Sequence, residues 1–454
     1  MIFIREKEFY KKAAGIAIPI TMQSMITIGV NMMDTIMLGS LGEVAISASS
    51  LANQFINLFH ICCMGMGMGA SVLTARFWGR QDLVSLKKSI TIMLRLCVVL
   101  ATLFAAATLF MPEKIMLLYT VEERVILEGV SYFKWSVAAY WLMGLSLTLT
   151  IVMRSVGLAK VPLYASIGSF SLNIAANYVF IFGKFGAPAM GVAGAAFGTL
   201  LSRILETGII LVYFFVKDTR VSYRIRDLFI PCKDMAGEYL RISIPVLVSD
   251  TILGLGNNAV AMVIGRLGSS FVSANAITTV TQQLSTVFIQ GISQAGCITI
   301  GNTLGCSTVE RAKQEGTTFL GLGIVVGMAA GAVIMLISPV VIGFYNITEG
   351  TRQIAEQLMI AVGFIVTFQS ANSILTKGVL RGGGDTGFLM VADVLFLWLV
   401  SIPLGVLAGL VWHLPAFWIY TCLKIDQVIK AVWCVFRLRS GKWIKAVKGS
   451  GKNS

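Results

Sequence analysis

Asp34, Asn173 and Asn177 are the residues of this chain whose types and spacing could do chemistry. Asp34 sits in the outer part of an apolar run, Ala13–Leu38, where a carboxylate is costly and is a functional hypothesis by default. Asn173 and Asn177 are spaced i,i+4 in a second apolar run, which puts both on one helix face. Two amide oxygens beside one carboxylate are the hard oxygen ligands that a small cation needs, and they can equally hold a carboxyl proton in a network. The plainer alternatives are an interfacial acid reaching water and polar glue between helices. A second set is less sharply defined. Asp250 lies five residues after Pro245 near one end of its run, and reads as a coupling site or as a capping acid. Asp426 stands between Lys424 and Lys430, and an i,i+4 pair with Lys430 would neutralise both charges, with a structural and a functional role equally open. Arg203 and Glu206, one turn apart, are expected to pair, and Arg95, Lys134 and Asp393 lie close to helix ends and are expected to snorkel.

Catalysis finds no support. The chain has two histidines, His60 and His413, and carries neither a His-Glu-x-x-His helix nor a nucleophile elbow. The cluster Arg381–Gly384 with Asp385 and Thr386 lacks the Lys-Ser/Thr of a phosphate loop and reads as a short cytoplasmic turn. Without a nucleotide site, ion-coupled transport remains. The expected coupling ion is H+ or Na+, with Asp34, Asn173 and Asn177 as the Na+ ligands, and neither a cofactor nor a tightly bound metal is expected.

These groups must be positioned by membrane helices. Of the 454 residues 56% are hydrophobic and 13% charged, and the mean hydropathy is +0.82. Runs of about 20 apolar residues, enough to cross a bilayer, occupy most of the chain. They read as Ala13–Leu38, Ile46–Phe77, Ile90–Met111, Val130–Ile151, Leu163–Gly183 and Val192–Phe215, then Ile244–Ile264, Phe271–Gly301, Thr317–Ile337, Leu358–Gly378, Phe388–Leu410 and Pro415–Phe436. The fold class expected is therefore an all-α integral membrane protein with twelve transmembrane helices. The net charge of +14 falls mainly in alternate loops, while the intervening loops hold Lys114, Arg124, Lys184, Arg266 and Arg352. That asymmetry puts both termini in the cytoplasm of a multi-pass protein of the inner or plasma membrane. It also explains the basic excess by topology and anionic lipid, with no single face for nucleic acid. The eight cysteines are scattered, with no expected disulfide framework or metal spacing. The N-terminal Arg5–Lys12 stretch lacks a small-residue cleavage site and is expected to be retained.

The spans form two copies of one pattern. Pro19, Asn31, Gly39, Leu41, Gly42, Ser47, Ala48, Gly65 and Gly79 recur 226 residues later as Pro245, Asn257, Gly265, Leu267, Gly268, Ser273, Ala274, Gly291 and Gly305. An even number of spans per copy makes the repeats parallel, related by an axis along the membrane normal. The acids do not repeat: Asp34 corresponds to Val260, and Asp250 to Ser24. The expected organisation is helices 1–6 in residues 1–216, a cytoplasmic connector at 217–243, helices 7–12 in 244–436 and a basic cytoplasmic tail at 437–454. The connector's apolar island Leu228–Pro231 and the tail's Trp443 are placed at the membrane surface.

The chain resembles the multidrug and toxic compound extrusion (MATE) family over nearly its whole length. The resemblance rests on Asp34-Thr-Ile-Met-Leu-Gly39 with Leu41-Gly42, Gly157–Pro162, Asn173-Ile with Ile181-Phe-Gly183, and Gly191-Val-Ala-Gly194-Ala-Ala with Thr199. Val379-Leu-Arg-Gly-Gly-Gly-Asp-Thr386 and Arg439-Ser-Gly-Lys-Trp443 add to it. It implies a two-lobe, V-shaped fold alternating between inward- and outward-facing states, and export of bulky, amphipathic, often cationic compounds in exchange for protons or sodium. Small-molecule substrates and membrane lipids are the implied partners of a monomer. The resemblance also implies an N-lobe cation site at Asp34, Asn173, Asn177 and Thr199. One branch has an acid at the position of Asn177. In the C-lobe, acids of another branch correspond to Leu253 and Ser370 here, with Asp250 nearly a turn away, and Asp426 matches an acid often found in the last helix. The alternatives to a drug antiporter are a lipid-linked precursor flippase of the same superfamily and a non-transporting scaffold or receptor.

Overall fold

A lipid environment offers no hydrogen bonds to backbone N–H and C=O groups, so a long apolar chain satisfies them within helices. The computed structural model describes residues 3–345 and 347–447, and no strand occurs among them. In chain order the helices are α1 (Lys7–Gly39), α2 (Glu43–Gly79), α3 (Leu83–Phe110), the short α4 (Pro112–Leu117), α5 (Glu123–Ser155) and α6 (Lys160–Phe182). They continue with α7 (Val192–Lys217), α8 (Lys233–Arg266), α9 (Ser269–Cys306), α10 (Val309–Gly343), α11 (Glu349–Leu380) and α12 (Thr386–Val411). The last two are α13 (Ala416–Leu423) and α14 (Ile425–Ser440). Eleven of the described helices are long and apolar enough to cross a membrane. The twelfth expected span is the pair α13–α14. The sequence predicts one continuous helix over Pro415–Phe436, but the structure breaks it at Lys424 (φ −119°, ψ 13°). The break frees the N–H of Asp426, which the hydroxyl of Ser401 on α12 accepts at 2.8 Å. A membrane helix can be interrupted only where such a partner is supplied.

The described chain divides into two compact units. The first-repeat unit holds 22–74 and 82–240, and the second-repeat unit holds 3–21, 75–81 and 241–447. The halves of the sequence repeat dominate one unit each, but the start of α1 and the end of α2 belong to the second-repeat unit. The repeat is visible in the backbone: Gly42 and Gly268, which follow α1 and α8, have φ of +105° and +107°. It is also visible in packing. Within the second-repeat unit a Cβ on Gly301 would overlap Ala75, one on Gly79 would overlap the Asn302 backbone, and one on Gly305 would overlap the Arg76 carbonyl. Ala75 and Gly301, and Gly79 and Gly305, are partners in the 226-residue register. Equivalent stretches of the two repeats therefore meet face to face at the end of α2, where small residues let backbones approach closely.

The connector after α7 is docked by polar contacts within the first-repeat unit. Asp218 accepts from the N–H groups of Arg220, Val221 and Ser222. On α3, Lys87 pairs with Asp227 at 2.8 Å, Thr91 meets the Tyr223 hydroxyl at 2.7 Å, and Arg95 reaches the carbonyls of Leu228 and Ile230. Burial opposes charge on Asp227, but the Lys87 ammonium and the Arg224 N–H outweigh it and hold the carboxyl below the usual carboxylate range. A depressed carboxyl stabilises the docked state above its unfolded pKa and loses that contribution as pH falls through the folded value. The docking is therefore intact at neutral pH and weakens below about pH 4. Asp227→Asn is expected to raise amide exchange over residues 221–229 at pH 7 by no more than about fivefold, as a partly exposed pair of about 1 kcal/mol allows. Hydrogen-exchange mass spectrometry at pH 7 checks this, with unchanged protection counting against it.

The tail departs from expectation. Trp443 is fully buried rather than at headgroup depth, with its indole N–H donating to the Leu438 carbonyl at 3.1 Å. The left-handed turn at Gly441 (φ +68°) ends α14 and folds the chain back. The ring then lies against Gly383, where a Cβ would collide with it. Arg76 donates to the carbonyls of Gly382, Gly383 and Lys445, and Arg80 to that of Val447. The rest of the expected tail, from residue 448 on, lies outside the described residues.

Candidate functional site

Three helices of the first-repeat unit bring Asp34, Asn173, Asn177 and Thr199 into one chain of hydrogen bonds. On α6, the i,i+4 spacing lets the Asn177 carboxamide donate both to Asp34 Oδ1 on α1, at 2.6 Å, and to Asn173 Oδ1, at 3.3 Å. Asn173 in turn donates to Thr199 Oγ1 on α7 at 3.5 Å. Both asparagines are buried, at 1% and 0% exposure, whereas Asp34 is half-buried and faces a cavity. The close packing of α6 and α7 at this level depends on Gly198, since a Cβ there would overlap Asn177 Oδ1. That oxygen is buried and accepts no hydrogen bond among the described residues. No Lys or Arg forms an ion pair with Asp34 among the described residues. The site thus offers a carboxylate that is not ion-paired and an unused carbonyl oxygen, with Arg203 on the same cavity wall.

A longer polar chain braces this site. Arg154 on α5 donates to Gln23 on α1. Gln23 donates to Ser166 on α6 at 2.8 Å, and Ser166 to Glu206 on α7 at 3.2 Å. Glu206 is ion-paired with Arg203 at 2.6 Å, the pair expected from its spacing. Arg154 and Gln23 were not legible as site residues. The available signal was a Gln inside an apolar span and an Arg at a span end, both ordinary when met singly. Five polar side chains thus tie together the four helices α1, α5, α6 and α7.

The cavity beside Asp34 has a volume of about 520 Å3. Its walls include Asn31 on α1 and Asn53, Gln54, Asn57 and His60 on α2, together with Arg203.

The second-repeat unit treats its charges differently. Lys430 lies between Asp426, at 3.0 Å, and Asp393, at 3.2 Å, and all three are buried. The expected i,i+4 pair is present, but Asp393 does not snorkel: it is 5% exposed and accepts from Ser249 as well. A buried ammonium and the Ser249 hydroxyl offer it a better alternative than a helix end does. Lys424, at the helix break, is half-buried and forms no ion pair among the described residues. Asp250 pairs with the buried Arg381 at 3.2 Å. Val260, the register partner of Asp34, is buried in an apolar cluster of this unit. The two repeats therefore share backbone devices and differ in their ionisable groups.

A family model described as MatE matches residues 19–179 and 245–407. The chain is 23% identical to the probable multidrug resistance protein NorM of Thermotoga maritima over 439 residues, 96% of this chain and 94% of the relative. It is 23% identical over 414 residues to an uncharacterized transporter of Bacillus subtilis, YisQ, covering 91% and 90%. Among solved structures, a crystal structure of MATE in the straight conformation superposes with a TM-score of 0.86 at 19% identity, covering 95% of this chain and 96% of that one. A transporter of the MOP superfamily from Pyrococcus furiosus gives 0.86 at 19% identity, covering 97% and 100%.

Proposed function

The chain belongs to the MatE family of multi-pass membrane transporters, and from that premise we propose that it is a cation-coupled antiporter. It exports small organic compounds, drugs or toxic metabolites, in exchange for H+ or Na+. The observation that carries the reading is the Asp34–Asn177–Asn173–Thr199 chain opening on a cavity. A carboxylate within a membrane span needs a counter-charge, and no basic side chain closes on this one. A proton or Na+ arriving at Asp34 would supply it, with Asn173 and Asn177 as the neutral partners. The carbonyl oxygen of Asn177 that accepts no hydrogen bond is the kind of ligand a desolvated Na+ takes. Coupling requires the neutralised and charged states to differ in affinity for substrate, since only differential binding can shift an equilibrium. The protein is placed in the cell membrane with both termini in the cytoplasm, on the charge asymmetry of its loops.

Inverted membrane vesicles with pH and sodium gradients imposed separately test this. Dye accumulation driven by one gradient and collapsed by the matching ionophore is the expected result, and accumulation indifferent to both would rule it out. Gly198→Ala is expected to cut the gradient-driven rate about tenfold, because the added methyl displaces Asn177 and takes about 1.4 kcal/mol of hydrogen bonding from Asp34. The rate measured in the same vesicles, normalised to protein content, checks it.

A further inference from the structure

We propose that the cavity beside Asp34 takes compact hydrophilic zwitterions with amide groups between their charges, of the short-peptide or amino-acid-derivative class. This deepens the export reading and rests on it. Of the residues lining the cavity, Leu38, Ile46, Ile56, Met143 and Ala195 are apolar, and the other twelve carry polar side chains. That is a more polar wall than an ordinary drug site has, where an apolar wall carries a few polar groups.

The polar groups form two helical stripes. Thr27, Asn31, Asp34 and Thr35 lie on one face of α1, and Ser49, Ser50, Asn53, Gln54, Asn57 and His60 on one face of α2, each three or four residues from another member of its stripe. Polar stripes on membrane spans are costly and point to use. Their carboxamides are mostly open. Asn53 accepts from the Tyr132 hydroxyl at 3.3 Å. The side chains of Asn31, Gln54 and Asn57 are exposed in the cavity and have no hydrogen-bond partner among the described residues.

A carboxamide presents a donor and an acceptor in one plane, which complements a peptide amide edge. An amphipathic cation has no such edge, and would bury these amides without replacing their bonds to water. The charges fit the same class. Asp34 offers one acidic group to this space, and Arg203, a third of its side chain exposed and one of its N–H groups bound to Glu206, offers the remaining N–H groups of its guanidinium. An ammonium would meet the first and a carboxylate the second. A cavity of about 520 Å3 is within the size range of small-molecule sites and accommodates a dipeptide.

The test is exchange by the purified full-length protein in proteoliposomes, with L-alanyl-L-glutamine and ethidium as parallel probes. Saturable exchange of labelled L-alanyl-L-glutamine is expected. Gln54→Leu and Asn57→Leu are each expected to lower it about tenfold, the equivalent of one well-formed hydrogen bond at about 1.4 kcal/mol. Asn57→Gln, which keeps the carboxamide, is expected to retain most of it. Gel filtration and melting of each variant separate a lost contact from a lost fold. Exchange of ethidium without exchange of the dipeptide would overturn this substrate class and leave the export reading standing. Dipeptide exchange untouched by either leucine substitution in folded protein would overturn the assignment to this cavity. Exchange of neither probe, with no response to a pH or sodium gradient, would overturn the export reading and this inference with it.

Discussion

Asp34→Asn is expected to yield a folded protein that no longer accumulates substrate against a gradient. The substitution keeps an oxygen where Asp34 Oδ1 accepts from Asn177 at 2.6 Å, so the contact that orders the site survives. It removes the negative charge from a membrane span, which relieves desolvation and should not lower stability. What disappears is the group that can alternate between a charged and a neutralised state. A membrane potential of 100 mV supplies about 2.3 kcal/mol per charge, which corresponds to roughly fiftyfold in accumulation. A loss of about that size is expected in vesicles energised by the coupling ion, with the melting temperature in detergent unchanged or slightly raised. Asp34→Glu retains a charge but moves the carboxylate by one methylene from the Asn177 bond, and is expected to fall between. Accumulation by folded Asp34→Asn at the wild-type level would remove Asp34 from the coupling step.

The candidate site was legible to the extent that its residues announce themselves one at a time. A carboxylate in an apolar run and two asparagines at i,i+4 are each unusual, and helical periodicity alone puts the asparagines together. Their meeting with Asp34 and Thr199 is tertiary, and the family resemblance rather than spacing pointed to Thr199. The bracing chain from Arg154 to Arg203 was not legible because its members are spread over four helices. Asp393 was misread for a related reason. Position near a span end suggested a route to water, whereas Ser249 and Lys430, 144 and 37 residues away in sequence, supply a buried alternative. Trp443 followed the same logic: an aromatic in a basic tail suggests an interface, but Gly383 leaves room for the ring that only the folded chain reveals. The spans themselves were legible because apolar length is a property of a segment. The break at Lys424 was not, because it depends on Ser401 standing opposite.

Lys430→Met should be the most destabilising single substitution in the second-repeat unit. Lys430 is 1% exposed and neutralises Asp426 and Asp393, themselves 1% and 5% exposed. Methionine fills much of the space of the lysine stem, so the change is chiefly electrostatic. It leaves two buried acidic groups facing each other without the ammonium between them. Removing one partner of a buried pair costs about 3–5 kcal/mol. For a unit of this size that is a drop of roughly 10 °C in apparent melting temperature, since about 2–4 °C accompany each kcal/mol. Loss of packing would predict a similar drop, so a second variant decides the cause. Lys430→Met with Asp426→Asn removes one of the stranded charges while keeping an oxygen for the Ser401 hydroxyl, which bonds Asp426 Oδ1 at 3.1 Å. If charge balance holds the network together, the double variant melts above the single one, an interaction between neighbours that a double-mutant cycle measures directly. If the lysine acts by packing, the double variant melts at or below it. A Lys430→Met protein melting within about 2 °C of wild type, less than the shift that even 1 kcal/mol brings, would show that the two carboxyls find other neutralisation.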